Sequence, residues 1–226
     1  FITEKLIEWK ESKYRKPLIL RGARQVGKTY ILKDFANKYY DNMAYFNFDH
    51  DSSLADLFIN TKNPKRIIEQ LSFVVGKKIE PSKTLIIFDE VQECPDALNS
   101  LKYFAEETPE YHIVAAGSLL GIKLSHTSFP VGKVDYLTLY PMTFSEFLIA
   151  DGKENLVDYM KSIKEIQEIP KIFDDQLVEQ LKKYYIIGGM PEVVNSWVND
   201  KDIERVNYLQ KNILQAYEDD FSKHLN

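Results

Sequence analysis

The 226-residue chain has a single cysteine, Cys94, and that scarcity excludes several kinds of site. One thiol cannot form an intramolecular disulfide or a multi-cysteine zinc site, which fits a reducing compartment and favours a cytoplasmic protein. The histidines show no i,i+4 pairing and no accompanying cysteine, so we predict no transition-metal site and expect surface or core positions for them. They are His50, His112, His126 and His224.

Long apolar runs are also missing. The longest, such as residues 85–88 and 113–116, are far shorter than the roughly 20 residues that a membrane helix requires, so none is predicted. With 44% hydrophobic and 13% aromatic residues, the chain can still bury a large core. A formal charge of -5 argues against a strongly basic nucleic-acid module, although not against a local basic patch. The chain starts at Phe1 without a methionine or a signal pattern, so we expect a fragment of a longer protein.

Strand-like and helix-like segments alternate along the first part of the chain. Apolar patterns predict strands at residues 18–20, 44–48, 84–88, 111–116 and 134–139, with a loop containing Gly121, Pro130 and Gly132 before the last. Helical spacing predicts helices at residues 1–13, 28–40, 53–58, 64–75 and 95–106. This alternation predicts an α/β core over residues 1–140, with a parallel sheet flanked by helices.

The strand pattern stops at Pro141. Helix-like apolar spacing follows at residues 144–150, 154–163, 173–187 and 203–217. Gly188 and Gly189 form a predicted turn, after which Pro191 is suited to begin a further helix. We therefore predict a small α-helical region over residues 141–226.

A glycine-rich loop follows the first predicted strand and opens a predicted helix. It fits the P-loop or Walker A pattern G-x-x-x-x-G-K-T and consists of Gly22, Ala23, Arg24, Gln25, Val26, Gly27, Lys28 and Thr29. The glycines let backbone N–H groups converge, and the helix presents its positive end, so together they can hold a triphosphate. We predict that Lys28 reaches the β- and γ-phosphates and that the Thr29 hydroxyl ligates Mg²⁺. Arg24 and Gln25 are better explained as residues that shape the loop.

Two carboxylates, Asp89 and Glu90, end the third predicted strand in the Walker B pattern. We predict that Asp89 holds Mg²⁺ through its water shell and that Glu90 orients or deprotonates the water that attacks the γ-phosphate. Acidic residues also end strands as turn formers or caps, but the preceding P-loop favours the catalytic interpretation. Ser118, which ends the fourth strand, is either a γ-phosphate sensor or a turn serine after Gly117, and we favour the sensor.

Together these segments resemble AAA-type P-loop ATPases of bacteria and archaea, in which the core precedes a C-terminal domain of unknown function. The resemblance covers most of the chain and rests on residues 21–29, 46–49, 88–92, 116–118, 139–147 and 188–192. The Leu-Tyr-Pro and Gly-Gly-x-Pro stretches in the last two ranges are the most specific to the family. The resemblance implies ATP and Mg²⁺ as cofactors, a five-stranded core, a helical lid, and a longer protein with a winged-helix-like and nuclease-like region. It leaves room for an oligomer and for a DNA or protein partner bound through that region.

One position departs from this family. Members usually have arginine after the glycine that precedes the last core strand, whereas this chain has Gly132 and Lys133, and no arginine lies between Arg66 and Arg205. Lysine cannot make the planar bidentate contact with phosphate oxygens, so we expect slow intrinsic hydrolysis if this position acts on the γ-phosphate. The alternative is a solvated lysine at a strand edge.

The leading functional hypothesis is an ATPase that acts as a nucleotide-driven switch for a C-terminal output region. One alternative is a small-molecule phosphotransferase on the same core, which Glu90 beside Asp89 and the sensor-like Ser118 argue against. The other is a nucleotide-dependent interaction module with little turnover. The many tyrosines are assigned to the core or to interfaces, because no basic stripe accompanies them.

Overall fold

The central element of the protein is one parallel β-sheet. The computed structural model describes residues 1–118 and 132–224, so the predicted loop positions Gly121 and Pro130, together with His126, lie outside the described residues. Five described strands form the sheet in the spatial order β2-β3-β4-β1-β5. They are β1 (Leu18–Gly22), β2 (Asn42–Asn47), β3 (Thr84–Asp89), β4 (His112–Ser118) and β5 (Asp135–Leu139). The predicted α/β fold is confirmed, and each strand lies close to its predicted position.

Both faces of the sheet are covered, which explains the apolar strands. Side chains of β3 alternate between two core clusters: Ile86 and Phe88 pack on one side, and Leu85 and Ile87 pack on the other. All four are fully buried, as expected for a central strand of a parallel sheet. The ring of Phe58 meets that of Phe88 edge-to-face at 5.4 Å, which fixes the first cluster against its covering helices.

By their contacts the residues divide into two compact units, residues 1–23 with 27–139 and residues 24–26 with 140–226. The helices of the first unit are α1 (Ile2–Glu11), α2 (Lys28–Tyr39), α3 (Asp56–Ile59), α4 (Pro64–Val75) and α5 (Pro95–Glu107). The helix predicted at residues 53–58 is present, although its first part is a 3₁₀ helix rather than an α-helix. A 3₁₀ turn, Ser52–Ala55, precedes the short α3, because the Asp51 carboxylate accepts hydrogen bonds from the amide and hydroxyl of Ser53 and closes a local turn.

The described secondary structure of the second unit is helical, as predicted. Its helices are α6 (Phe144–Ala150), α7 (Glu154–Ser162), α8 (Lys171–Ile187), α9 (Pro191–Asp200) and α10 (Ile203–His224). Thr143 and Glu146 cap the start of α6 reciprocally, each side chain bonding the other residue's backbone. Among the described helices of the chain, none combines the length and the apolar character that crossing a membrane takes.

A close backbone approach joins two segments of the second unit. The Met142 amide donates a hydrogen bond to the Gly189 carbonyl at 2.7 Å, and the Tyr184 hydroxyl donates to the Met142 carbonyl at 2.8 Å. A Cβ atom on residue 189 would lie 2.2 Å from the Met142 carbonyl oxygen, so one of the two backbones would have to move. Packing therefore explains the glycine at position 189.

We expect Gly189→Ala to lower the free energy of unfolding by about 3 kcal/mol, because the added methyl group forces the two backbones apart. Gly152→Ala is the matched control in the same unit. Gly152 has a φ of +71°, but a Cβ there would meet nothing within 4 Å, so only backbone strain of about 1 kcal/mol is expected. Urea denaturation followed by circular dichroism measures both losses, and equal losses would contradict this account.

A buried histidine lies at the amino end of β4. His112 is 4% exposed, and its ring shares a hydrogen bond of 2.7 Å with the Tyr40 hydroxyl and forms a T-shaped pair with the Trp9 ring. Burial, together with the nearby charges of Arg15 and Lys10, lowers the pKa of His112 from 6.5 to about 4. The folded protein therefore holds this imidazole neutral. Of the surface and core positions expected for the histidines, His112 occupies a core position.

Acid should destabilise the first unit through His112. Because the folded pKa lies below the ordinary value, the unfolded chain binds a proton between pH 6.5 and 4 that the folded chain does not. The contribution of neutral His112 to the free energy of unfolding is therefore fully present above pH 6.5. It falls by up to about 3 kcal/mol as the pH drops to 4. Urea unfolding at pH 7 and 4.5, compared between the natural chain and His112→Asn, isolates this contribution. Identical pH dependence in both chains would show that His112 is not its source.

Candidate functional site

The predicted site segments meet at one edge of the sheet because its strands are parallel. β1, β3 and β4 all end at this carboxyl edge, and the residues that follow β1 and β3 are the glycine-rich loop and Glu90. The register pairs Gly22 with Ser118 and Phe88 with Ala115, so the three strand ends lie side by side. In open α/β sheets, ligands bind at this edge.

The loop between β1 and α2 has the backbone shape of an anion cradle. Gln25 has a φ of 59° and Gly27 a φ of 94°, both left-handed, on either side of the buried Val26. Alternating left-handed residues turn successive N–H groups toward one concave side, and α2 directs its positive end there. The Arg24 carbonyl accepts a hydrogen bond of 2.9 Å from the Tyr217 hydroxyl. This geometry suits a phosphate group.

Lys28 lies inside this loop. The residue is 6% exposed, and its ammonium donates hydrogen bonds to the carbonyls of Gly22 at 3.2 Å and Ala23 at 2.9 Å. A phosphate oxygen is a stronger partner for an ammonium group than a neutral carbonyl is, because both partners are then charged. The loop carbonyls therefore hold the cation where an anionic ligand of the cradle would meet it.

A hydrogen bond joins the loop to the acidic pair. Thr29 Oγ1 donates to Asp89 Oδ2 at 2.7 Å, and the Glu90 amide donates to Asp89 Oδ1 at 3.1 Å. The Asp89 residue is 1% exposed, so its carboxylate is held by the protein rather than by solvent. Hydroxyl and carboxylate oxygens are the ligands that Mg²⁺ prefers, and here they already touch. The two predicted metal-binding residues therefore fit a Mg²⁺ ion between loop and strand.

The backbone of Glu90 is left-handed, with φ 49° and ψ 46°. This conformation leads directly into a 3₁₀ turn, Val91–Glu93. The Glu90 Oε2 atom accepts a hydrogen bond of 2.6 Å from Gln92 Nε2. The half-buried carboxylate of Glu90 is thus restrained beside Asp89 without sharing its partners.

Ser118 lies at the carboxyl edge of the sheet, whereas Lys133 lies near its amino edge. Ser118 is 4% exposed and lies beside Gly22 in the register, so it is close to the start of the loop; its sensor role stays a prediction. Lys133 precedes β5 and forms an exposed ion pair of 2.8 Å with Glu106. Because β5 is parallel to β1, Lys133 is at the amino edge and cannot reach the loop of its own chain. The ion pair favours the surface alternative for Lys133, and slow hydrolysis stays a prediction.

Sequence reasoning missed the polar residues of β2. The Tyr45 hydroxyl donates to Asp89 Oδ2 at 2.8 Å, and Asn47 Nδ2 donates to the Tyr45 oxygen at 3.3 Å. The pKa of Tyr45 is raised to about 12, mainly by burial and also by the carboxylates of Asp89 and Glu90, while the hydrogen bond from Asn47 acts against them. The hydroxyl therefore stays a donor at neutral pH. The signals in the sequence were a strand with two polar residues at a spacing of two and the inclusion of Asn47 in one of the stretches that carry the family resemblance.

The fold and the site together define a P-loop nucleotide-binding protein of the AAA type. The AAA domain model matches residues 14–148, more than half of the chain, and the chain belongs to that family. A second model, Domain of unknown function (DUF8612), matches residues 178–226. Both matches fit the resemblance seen in the sequence.

Individual relatives are distant. The chain is 26% identical to the uncharacterized protein MJ1544 of Methanocaldococcus jannaschii over 202 residues, which are 89% of this chain and 40% of that protein. Drosophila ORC bound to DNA has a TM-score of 0.50 at 16% identity, over 94% of this chain and 66% of that one. AMPPCP-bound DnaA from Aquifex aeolicus has a TM-score of 0.48 at 14% identity, over 93% and 64%. The chain thus spans under half the length of MJ1544.

Lys28→Ala should weaken nucleotide binding by at least about 100-fold, because an ammonium group contacting phosphate supplies a strong charge-assisted bond. The fold should persist, since the lost bonds go to carbonyls of the same loop. Lys38→Ala is the control: it lies in the last turn of α2, exposed and paired with Asp34. Titration with a fluorescent ATP analogue measures both affinities, and similar affinities for the two variants would contradict a phosphate role for Lys28.

Proposed function

We propose that this domain binds ATP with Mg²⁺ and hydrolyses the bond between the β- and γ-phosphates. The observation that carries the proposal is the direct contact between Thr29 and Asp89, at the mouth of a loop that encloses Lys28. A P-loop alone binds nucleotide; hydrolysis also requires a metal site and a group that acts on water. Asp89 and Glu90 are suited to supply these two functions from adjacent positions.

Different residues would bind the phosphates and the metal ion. The amides of residues 22–29 and the end of α2 would surround the phosphates, and Lys28 would exchange its carbonyl partners for the β- and γ-phosphate oxygens. Thr29 and Asp89 would hold Mg²⁺, whose charge offsets that of the phosphates during transfer. Because these two side chains already touch, little rearrangement is needed before the nucleotide is held.

Glu90 would act on the attacking water. Its carboxylate would orient the water and accept a proton as the water oxygen bonds to the γ-phosphorus and the bond to the β-phosphate oxygen breaks. Gln92 restrains Glu90 through one hydrogen bond, so the carboxylate would have to turn from Gln92 toward the water. Ser118, beside Gly22, would sense whether the γ-phosphate is present.

We further propose that nucleotide state controls an output region in the C-terminal part of the full protein. Support comes from the family match, from the DUF8612 match over residues 178–226, and from the greater length of MJ1544. The partner of that region would be DNA or protein; DNA is what the ORC structure is bound to. A formal charge of -5 favours a DNA contact outside these residues rather than within them. Oligomerisation and a cytoplasmic location fit the same proposal.

Glu90→Gln should bind ATP as tightly as the natural chain and release phosphate at least about 100-fold more slowly, because an amide cannot accept the proton. Glu93→Gln removes an exposed carboxylate three residues further on and should leave turnover unchanged. Phosphate release from ATP, without any added acceptor, measures both variants alongside the natural chain.

Each other result points to a different function. Turnover unaffected by Glu90→Gln would show that Glu90 is not the base. Phosphate transfer that requires an added small-molecule acceptor would favour a phosphotransferase. Tight ATP binding without turnover in the natural chain would favour an interaction module.

A further inference from the structure

Tyr45 is a second hydroxyl donor to the buried carboxylate of Asp89. In the register of β2 and β3, Asn47 lies opposite Asp89, and Tyr45 precedes Asn47 by two residues on the same face. The Tyr45 hydroxyl donates to Asp89 Oδ2 at 2.8 Å, the same oxygen that accepts the Thr29 hydroxyl at 2.7 Å. One carboxylate oxygen is therefore held from α2 and from β2 at once.

The ring of Tyr45 is also held from α2. Lys33 Nζ lies 3.8 Å from the ring centroid, which is a close cation–π contact. Lys33 follows Thr29 by four residues, so both side chains project from the same side of the helix. Helix α2, which follows the phosphate loop, thus holds Asp89 directly through Thr29 and indirectly through Lys33 and Tyr45.

Partners of a metal-binding carboxylate matter because they fix its orientation. Their loss commonly costs about 10- to 100-fold in metal affinity, although they never touch the ion. Thr29 would itself be a metal ligand, whereas Tyr45 contacts Asp89 from the neighbouring strand. Tyr45 would therefore hold the Asp89 carboxylate without itself contacting the ion.

We propose that Tyr45 is a positioning residue: its hydroxyl fixes the Asp89 carboxylate for Mg²⁺, and Lys33 fixes the Tyr45 ring. The proposal rests on the proposed function, since it takes Mg²⁺ and ATP as the ligands of the site. Tyr45 would then affect the gain in nucleotide affinity that Mg²⁺ brings, but not the affinity for nucleotide alone.

The test is the affinity for mant-ATP, measured in EDTA and across a Mg²⁺ titration. Tyr45→Phe removes the hydroxyl and keeps the ring. We expect unchanged affinity in EDTA and about a tenfold rise in the Mg²⁺ concentration that gives half of the maximal gain. Tyr136→Phe is the matched control, because Tyr136 is also a strand tyrosine with a cation over its ring, the Arg21 guanidinium at 5.3 Å. We expect the Mg²⁺ titration of this variant to match that of the natural chain.

Lys33→Met extends the test to the ring. It keeps the Tyr45 hydroxyl but removes the cation, so we expect a shift of the Mg²⁺ titration in the same direction by about threefold. If Tyr45 had only a structural role, Tyr45→Phe would lower the free energy of unfolding and leave the Mg²⁺ titration unchanged. That outcome would overturn the proposal.

The two proposals fail in different ways. If Mg²⁺ brings no gain in the natural chain, the proposed function fails, and the role of Tyr45 fails with it. If the natural chain shows the gain and Asp89→Asn loses it, while Tyr45→Phe titrates like the natural chain, only the role of Tyr45 is wrong.

Discussion

The hydrogen bond between Thr29 and Asp89 joins side chains that are 60 residues apart in the chain. It can form only because β1 and β3 are parallel and end at the same edge, with β4 between them. The apolar strands, buried on both faces, hold these ends in register. The protein core therefore positions the polar groups that the loop and the end of β3 supply, and in this way the site is preorganised before a ligand binds.

Much of the fold could be predicted from local patterns. Runs such as those of β3 and β4 are almost wholly apolar, so they are recognisable as buried strands without knowledge of their neighbours. The helix predicted at residues 53–58 begins as a 3₁₀ turn because the Asp51 carboxylate accepts a hydrogen bond from the Ser53 amide, which apolar spacing alone does not show. The glycine at position 189 was assigned to a turn, while its contact with Met142 depends on a distant segment.

The site residues that lie in contiguous sequence motifs could be predicted. Those whose contacts depend on the pairing of neighbouring strands could not. The loop residues and the Asp89–Glu90 pair are contiguous motifs, so their type and spacing are visible directly. Tyr45 acts on Asp89 only because β2 lies beside β3, which no local pattern reveals. Lys133 was difficult to interpret for the same reason: its distance from the loop follows from the direction of β5 relative to β1.

We propose that the contact between Thr29 and Asp89 marks a metal-dependent ATPase site. Phosphate release from ATP by the natural chain, measured with no acceptor present in Mg²⁺ and in excess EDTA, tests this proposal. We expect phosphate to accumulate with Mg²⁺, even if slowly, and EDTA to abolish its release. Equal release in both conditions, or none in either, would contradict the proposal.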